Sequence, residues 1–190
     1  MARPKNVDAA ARTAAMFDQL IATFRSKGYD GAALSDLSAA TGLAKASFYH
    51  RFPGGKLELG RATLGEAGKR FAELILRPLQ STKSAAERWQ AMLDGVAIFY
   101  ADGTNACLMN TMTLGDGAAL FGKDIRLTIN AWEKLIATVF LDSGASAAKA
   151  QTRAQDAIVR IQGALVLARM TDRTDMLTST ITDLRGALSA

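Results

Sequence analysis

Residues 34–56 read LSDLSAATGLAKASFYHRFPGGK. Leu34, Leu37 and Ala40 recur at the spacing of one helical face and predict a helix of two turns. Thr41-Gly42-Leu43-Ala44 interrupts it, and Gly42 accepts positive φ without a Cβ penalty. A second short helix is predicted from Lys45 to Phe52, with Phe48 and Phe52 on one side, and Pro53-Gly54-Gly55 stops it. Two short helices joined by a glycine-containing turn of three to four residues have the spacing of a helix-turn-helix. Small Ala39 and Ala40 let the two helices approach, and Leu37, Leu43 and Phe48 fill the space between them. Many α proteins contain two short helices and a glycine, so the flanking residues have to decide the reading.

The second helix leaves an outward face made of Lys45, Ala46, Ser47, Tyr49 and His50. The N-terminal part of a recognition helix enters the DNA major groove. Lys45 can donate to a phosphate or a guanine edge, Ser47 can contact either base or phosphate, and Ala46 can touch a thymine methyl. Tyr49 and His50 carry donors suited to phosphate oxygens. Beyond the Gly-Gly turn, Lys56 and the free N–H groups of the following helix form a further expected anion site.

The rest of the chain reads as helix. Upstream, Phe17, Leu20, Ile21 and Phe24 line one face of a helix over 6–27, which Gly28 ends. Downstream, a long helix from Lys56 carries Leu57, Leu64, Phe71, Leu74 and Ile75 and stops near Pro78. Polar residues 80–84 mark a soft boundary. Helices are then expected over 85–101, 105–117, 123–142, 147–170 and 174–188, with Gly122 as one of the breaks between them. Ala, Leu and Met are abundant and the 190 residues include only 3 prolines, so the fold class is all-α with about nine helices. A functional division is placed after residue 56, at the end of the helix-turn-helix.

Charge follows the same division. The net charge is +5. Residues 1–56 hold 8 Lys/Arg and 4 Asp/Glu, and residues 57–190 hold 15 and 14. An excess of positive charge in the first third suits an anionic partner.

With these residues in view, Gly42-Leu43-Ala44-Lys45-Ala46-Ser47-Phe48-Tyr49-His50-Arg51-Phe52-Pro53-Gly54-Gly55-Lys56 resembles the signature of the tetracycline-repressor (TetR) family. Phe24-Arg25-Ser26-Lys27-Gly28-Tyr29 resembles the end of that family's first helix. The Pro-Gly-Gly-Lys turn is similar to that of a subgroup of multidrug-type repressors, and Cys107-Leu108-Met109-Asn110 echoes the start of that subgroup's ligand domain. The resemblance covers about residues 15–60. It implies an all-helical homodimer with a helix-turn-helix DNA-binding domain at 1–56, a helical ligand-binding and dimerisation domain at 57–190, and DNA contacts at Lys45, Ser47, Tyr49, His50 and Lys56. Two positions depart from the family. Ala33 and Ala44 stand where a hydroxyl residue usually caps each short helix, and an alanine caps worse by about 1 kcal/mol. DNA affinity would then lean on Lys45, Lys56 and a basic arm with Arg3 and Lys5.

The C-terminal two thirds offer Phe99, Cys107, Met109, Met112, Trp132 and Met170 as candidate walls for a small, apolar effector. The same residues also read as ordinary core. Asn105, Asn110 and Asn130 can orient a ligand or cap helices. Ile158, Ile161, Leu165, Leu167, Met170, Leu177, Ile181, Leu184 and Leu188 give the last two helices more apolar surface than one subunit needs. They are read as half of an isologous dimer interface, with an intrachain hairpin as the other reading.

Other function classes fare worse. The one histidine, His50, lies on the recognition helix, far in sequence from the one cysteine, Cys107. A Cys-His nucleophile pair or a structural zinc site is therefore not expected. No phosphate-loop or dinucleotide glycine pattern occurs. No cofactor is expected. The first 20 residues are interrupted by Arg3, Lys5, Asp8, Arg12 and Asp18, so no secretory leader is expected. No run of 18 uncharged apolar residues occurs, so no membrane span is expected, and a cytoplasmic location is the default expectation. A ligand-released repressor on a palindromic operator is the first reading. A helical dimeric adaptor without specific DNA recognition is the alternative.

Overall fold

A computed structural model describes residues 5–188, apart from the side chains of residues 5–8 and Lys45. All secondary structure in it is helical, as expected. Helix α1 spans Lys5–Gly31, α2 Leu34–Thr41, α3 Lys45–Arg51 and α4 Gly55–Phe71. The helical path of α4 runs on through one π turn, Ala72–Leu76, into α5, Arg77–Leu79. Then come α6 Ala85–Phe99, α7 Leu108–Thr111, α8 Gly117–Asp142, α9 Ala147–Thr171 and α10 Asp175–Arg185.

The chain packs as two units. The first holds residues 1–68 and 108–122, and the second holds 69–107 and 123–190. The chain passes between them inside α4, after Cys107 and inside α8.

In the first unit, Leu20, Ile21 and Phe24 on α1 are buried with Leu37, Phe48, Phe52 and Leu59. Gly28 does interrupt α1, at φ 68°, but one more turn follows to Gly31. This break has a packing reason. A Cβ on Gly28 would lie 3.0 Å from the Thr111 carbonyl oxygen of α7, so the backbone itself is the contact. Along α4 and the π turn after it, Leu59, Thr63, Ala67, Phe71 and Ile75 are buried, a ridge of fourfold spacing. This replaces the expected face of Leu57, Leu64 and Leu74, which are only half-buried.

The expected helix over 105–117 is not formed. Cys107, Leu108, Thr111 and Met112 are buried in and around four-residue α7. The next helix begins at Gly117, six residues before the expected start. Gly122, read as a break, is buried inside α8. A glycine in a helix interior costs about 1 kcal/mol, which burial of Phe121 beside it offsets.

In the second unit, α6 packs on the π turn, α5 and α10, and α10 packs in turn on α9, with Trp89, Met92, Val96, Ile161 and Leu177 buried. The Trp89 indole N–H donates to the Leu184 carbonyl at 2.7 Å. Arg88, 8% exposed, donates to Asp142 at 2.6 Å and to the Leu79 carbonyl at 3.3 Å. Gly95 permits the closest approach. A Cβ there would fall 1.8 Å from the Leu74 carbonyl oxygen, so α6 lies directly on the π turn's backbone.

Candidate nucleic-acid interface

Helices α2 and α3 are joined by a turn with Gly42 at φ 68° and ψ 7°. The Thr41 hydroxyl donates to the Leu37 carbonyl at 2.8 Å and accepts from Leu43 N–H at 3.4 Å. The Ser38 hydroxyl donates across the turn to the Leu43 carbonyl, so side chains of α2 satisfy backbone groups at its end.

Neither short helix has a side-chain N-cap from Ala33 or Ala44. In α2 the loss is partly made good. The Asp36 carboxylate accepts from Ala33 N–H at 3.0 Å and pairs with Lys27 at 2.7 Å. Hydrogen bonding from Lys27, then from the Ala33 backbone, holds the Asp36 carboxyl below the usual carboxylate range. Helix α3 has no such substitute and no acidic residue in its first turn.

Phe48 and Phe52 are buried beneath α3, while Ala46, Ser47 and His50 are exposed and Tyr49 is 46% exposed. Leu43, Ala46, Ser47, His50 and Arg51 line one open groove. The expected contacts Ala46, Ser47, Tyr49 and His50 therefore share one short exposed helix. The side chain of Lys45 lies outside the described residues, as do Arg3 and the side chain of Lys5. Ala39, expected between the helices, is exposed instead.

Lys56 sits at the start of α4, half-buried. Its ammonium donates to the Asp30 carbonyl at 3.3 Å and lies 4.5 Å from the centre of the Tyr29 ring. Burial, aided by the Asp30 and Asp116 carboxylates and opposed by Arg61, pushes the Tyr29 hydroxyl above its ordinary value. The two N–H groups just before Lys56 bond within the chain. Gly54 N–H donates to the Glu58 carboxylate at 2.7 Å, and Gly55 N–H to the Phe52 carbonyl at 2.9 Å. Sequence reasoning missed Tyr29, Asp30 and Glu58. The four-residue step from Gly54 to Glu58 could have signalled the last, whereas nothing local marks the other two.

The effector candidates separate. In the second unit, Trp132, Phe71, Phe99 and Tyr100 form a chain of edge-to-face rings, with centroids 5.0–5.5 Å apart. Cys107 joins it by accepting from the Tyr100 hydroxyl at 3.6 Å. The Trp132 indole N–H is fully buried and has no hydrogen-bond partner. Met109 and Met112 belong to the first unit, Met112 fully buried there. Met170 is 72% exposed on α9, because Ile161, Leu165 and Ala168 take that helix's inner face.

The apolar side of α10 is also turned inward. Leu177, Ile181 and Leu184 are buried within the chain, against α6 and α9. The exposed apolar residues of the last two helices lie on α9, at Val159, Leu167 and Met170. No described helix is long and apolar enough to cross a membrane.

Two family models match this chain. One, described as bacterial regulatory proteins of the tetR family, matches residues 17–63. The other, described as the C-terminal domain of LmrA/YxaF-like transcriptional regulators, matches residues 78–182. No curated protein matches. Among solved structures, a TetR transcriptional regulator from Legionella pneumophila is 18% identical, with 98% of each chain covered and a TM-score of 0.77. One from Chloroflexus aurantiacus is 23% identical, with 96% of each chain covered and a TM-score of 0.75. A TetR-family regulator from Streptomyces coelicolor is 13% identical over 95% of each chain, with a TM-score of 0.75.

Proposed function

Since this chain belongs to the tetracycline-repressor (TetR) family of bacterial regulatory proteins, we propose that it binds a near-palindromic operator as a homodimer and is released by a small molecule. The observation that carries this is the face of α3. Ala46, Ser47, Tyr49 and His50 stand exposed on a helix anchored by buried Phe48 and Phe52. No acidic residue occurs between Asp36 and Glu58. Lys45, Ser47 and Ala46 read base edges or phosphate, and Tyr49, His50 and Lys56 hold phosphates.

Two copies place their α3 helices about 34 Å apart, in successive major grooves. The dimer face runs through the last two helices. Its apolar part is the α9 stripe of Val159, Gly163, Leu167 and Met170, four positions at helical spacing. Thr178, Thr182 and Arg185 of α10 supply a polar rim.

The effector is small and apolar, and it meets the ring chain of Trp132, Phe99 and Tyr100 with Cys107. The free Trp132 N–H gives it one donor. Met109, Met112 and Met170 are secondary candidates. Helix α4, which contributes residues to both units, carries the change. The Pro53-Gly54-Gly55-Lys56 turn supports placement in the multidrug-type subgroup, and DNA as partner supports a cytoplasmic location. The helical adaptor reading leaves the exposed face of α3 without a use.

Selection of bound fragments from a random duplex pool tests this reading. The expected product is a palindrome with half-sites one helical turn apart. An unselected pool contradicts it.

A further inference from the structure

Within the first unit, four contacts converge on the end of α1. The Asp30 carboxylate accepts from the Asp116 N–H at 2.9 Å. The turn that presents this N–H contains Gly115 at φ 56°, where a Cβ would fall 2.0 Å from Asp30 Oδ2. The Asp30 backbone carbonyl accepts from Lys56, whose ammonium lies over the Tyr29 ring. That ring meets Phe121 edge-on, with centroids 4.9 Å apart. Gly60 is buried beside both, and a Cβ there would come within 3.0 Å of Phe121 and 3.3 Å of Tyr29.

We propose that Asp30 and Tyr29 are positioning residues for Lys56, and that the Leu114–Asp116 turn sets them. With the turn docked on the Asp30 carboxylate, the end of α1 is fixed. The Asp30 carbonyl and the Tyr29 ring then seat the Lys56 ammonium at the start of α4. An ammonium has three donors, and the carbonyl takes one, which leaves donors for a DNA phosphate. A free lysine loses rotamer freedom when it is fixed, and the seat removes part of that cost before DNA arrives. With the turn released, the seat loosens and phosphate binding weakens. The Asp30 side chain is exposed, so its bond to the turn competes with water and is easily reversed. This inference rests on the DNA-reading function proposed above.

A double-mutant cycle on the full chain tests it, with affinity measured for a duplex selected by the wild-type protein. Lys56→Ala is expected to weaken binding about tenfold, and Asp30→Ala about fivefold. In the Lys56→Ala background, Asp30→Ala is expected to cost less than about 1.5-fold. Asp30→Asn keeps an acceptor for the Asp116 N–H and is expected to bind at least as tightly as wild type. Loss of charge alone would strengthen DNA binding, so weaker binding by Asp30→Ala reports the seat. Equal costs in both backgrounds, no cost from Lys56→Ala, or failure of Asp30→Asn to restore affinity each overturn the proposal. A wild-type protein that selects no duplex overturns the DNA-reading function instead.

Discussion

The Glu58 carboxylate accepts a hydrogen bond from Gly54 N–H at 2.7 Å, one turn ahead of it at the entry to α4. A helix N-terminus attracts anions, and here the chain supplies its own. The carboxylate stabilises the helix start and adds a negative charge to the end of α4 where a DNA phosphate is proposed to sit. Glu58→Gln is expected to tighten operator binding about two- to fivefold near 0.1 M salt, with the gain shrinking as salt rises. Fluorescence anisotropy with labelled duplex measures this. Weaker binding would show that Glu58 organises the site rather than competing for it.

Acid should loosen the helix-turn-helix through Asp36. Its carboxyl is held below the usual range by Lys27 and the Ala33 backbone. A lowered folded pKa contributes stability that is present above the unfolded value, about 4, and is lost as pH falls through the folded value. Asp36→Asn is expected to lower thermal stability at pH 7 and to flatten the acid limb below pH ~4. Thermal melts across pH read both effects. Parallel limbs for the two proteins would remove Asp36 from the account.

The two tryptophans should respond differently to the same change. Both are fully buried, but Trp89 donates to the Leu184 carbonyl whereas Trp132 donates to nothing. Replacement by Phe removes similar volume from each. Trp89→Phe is expected to cost about 0.5–1.5 kcal/mol more, because it removes a buried hydrogen bond and leaves the Leu184 carbonyl with the Ala187 N–H. Urea denaturation of the two variants decides the point, and equal losses contradict it.

The α9 stripe predicts the assembly. Leu167→Glu places a charge at the centre of the proposed dimer face, while that position is 46% exposed in the single chain. The variant is expected to sediment as a folded monomer and to lose operator affinity. A dimer of unchanged stability would move the interface elsewhere.

The elements nearest the turn residues were legible in the sequence. Gly42, the Pro53-Gly54-Gly55 stop and the buried pair Phe48/Phe52 act locally, so α2 and α3 lie where spacing placed them. Long-range packing decided what spacing missed. Gly28 is fixed by the Thr111 carbonyl of α7, and Gly115 by the Asp30 carboxylate. Those partners lie more than 80 residues away, beyond any local pattern. Buried Gly122 looked like a helix break because its cost is visible in the sequence and its packing is not. Met170 looked like pocket or core because hydrophobicity alone does not say which side of a helix faces inward. The outward face of α3 was read correctly as exposed because Phe48 and Phe52 define its opposite side.

The central claim is that α3 reads DNA. Its most direct test is the salt dependence of duplex binding for the wild-type protein and for Lys45→Ala, each compared on selected and scrambled duplexes. The log of affinity should fall against log salt with a slope of about −0.9 per neutralised phosphate. Lys45→Ala should lose most of the preference for the selected duplex while remaining a folded dimer. A flat salt response with equal affinity for both duplexes would contradict the claim, as would a Lys45→Ala protein with unchanged preference.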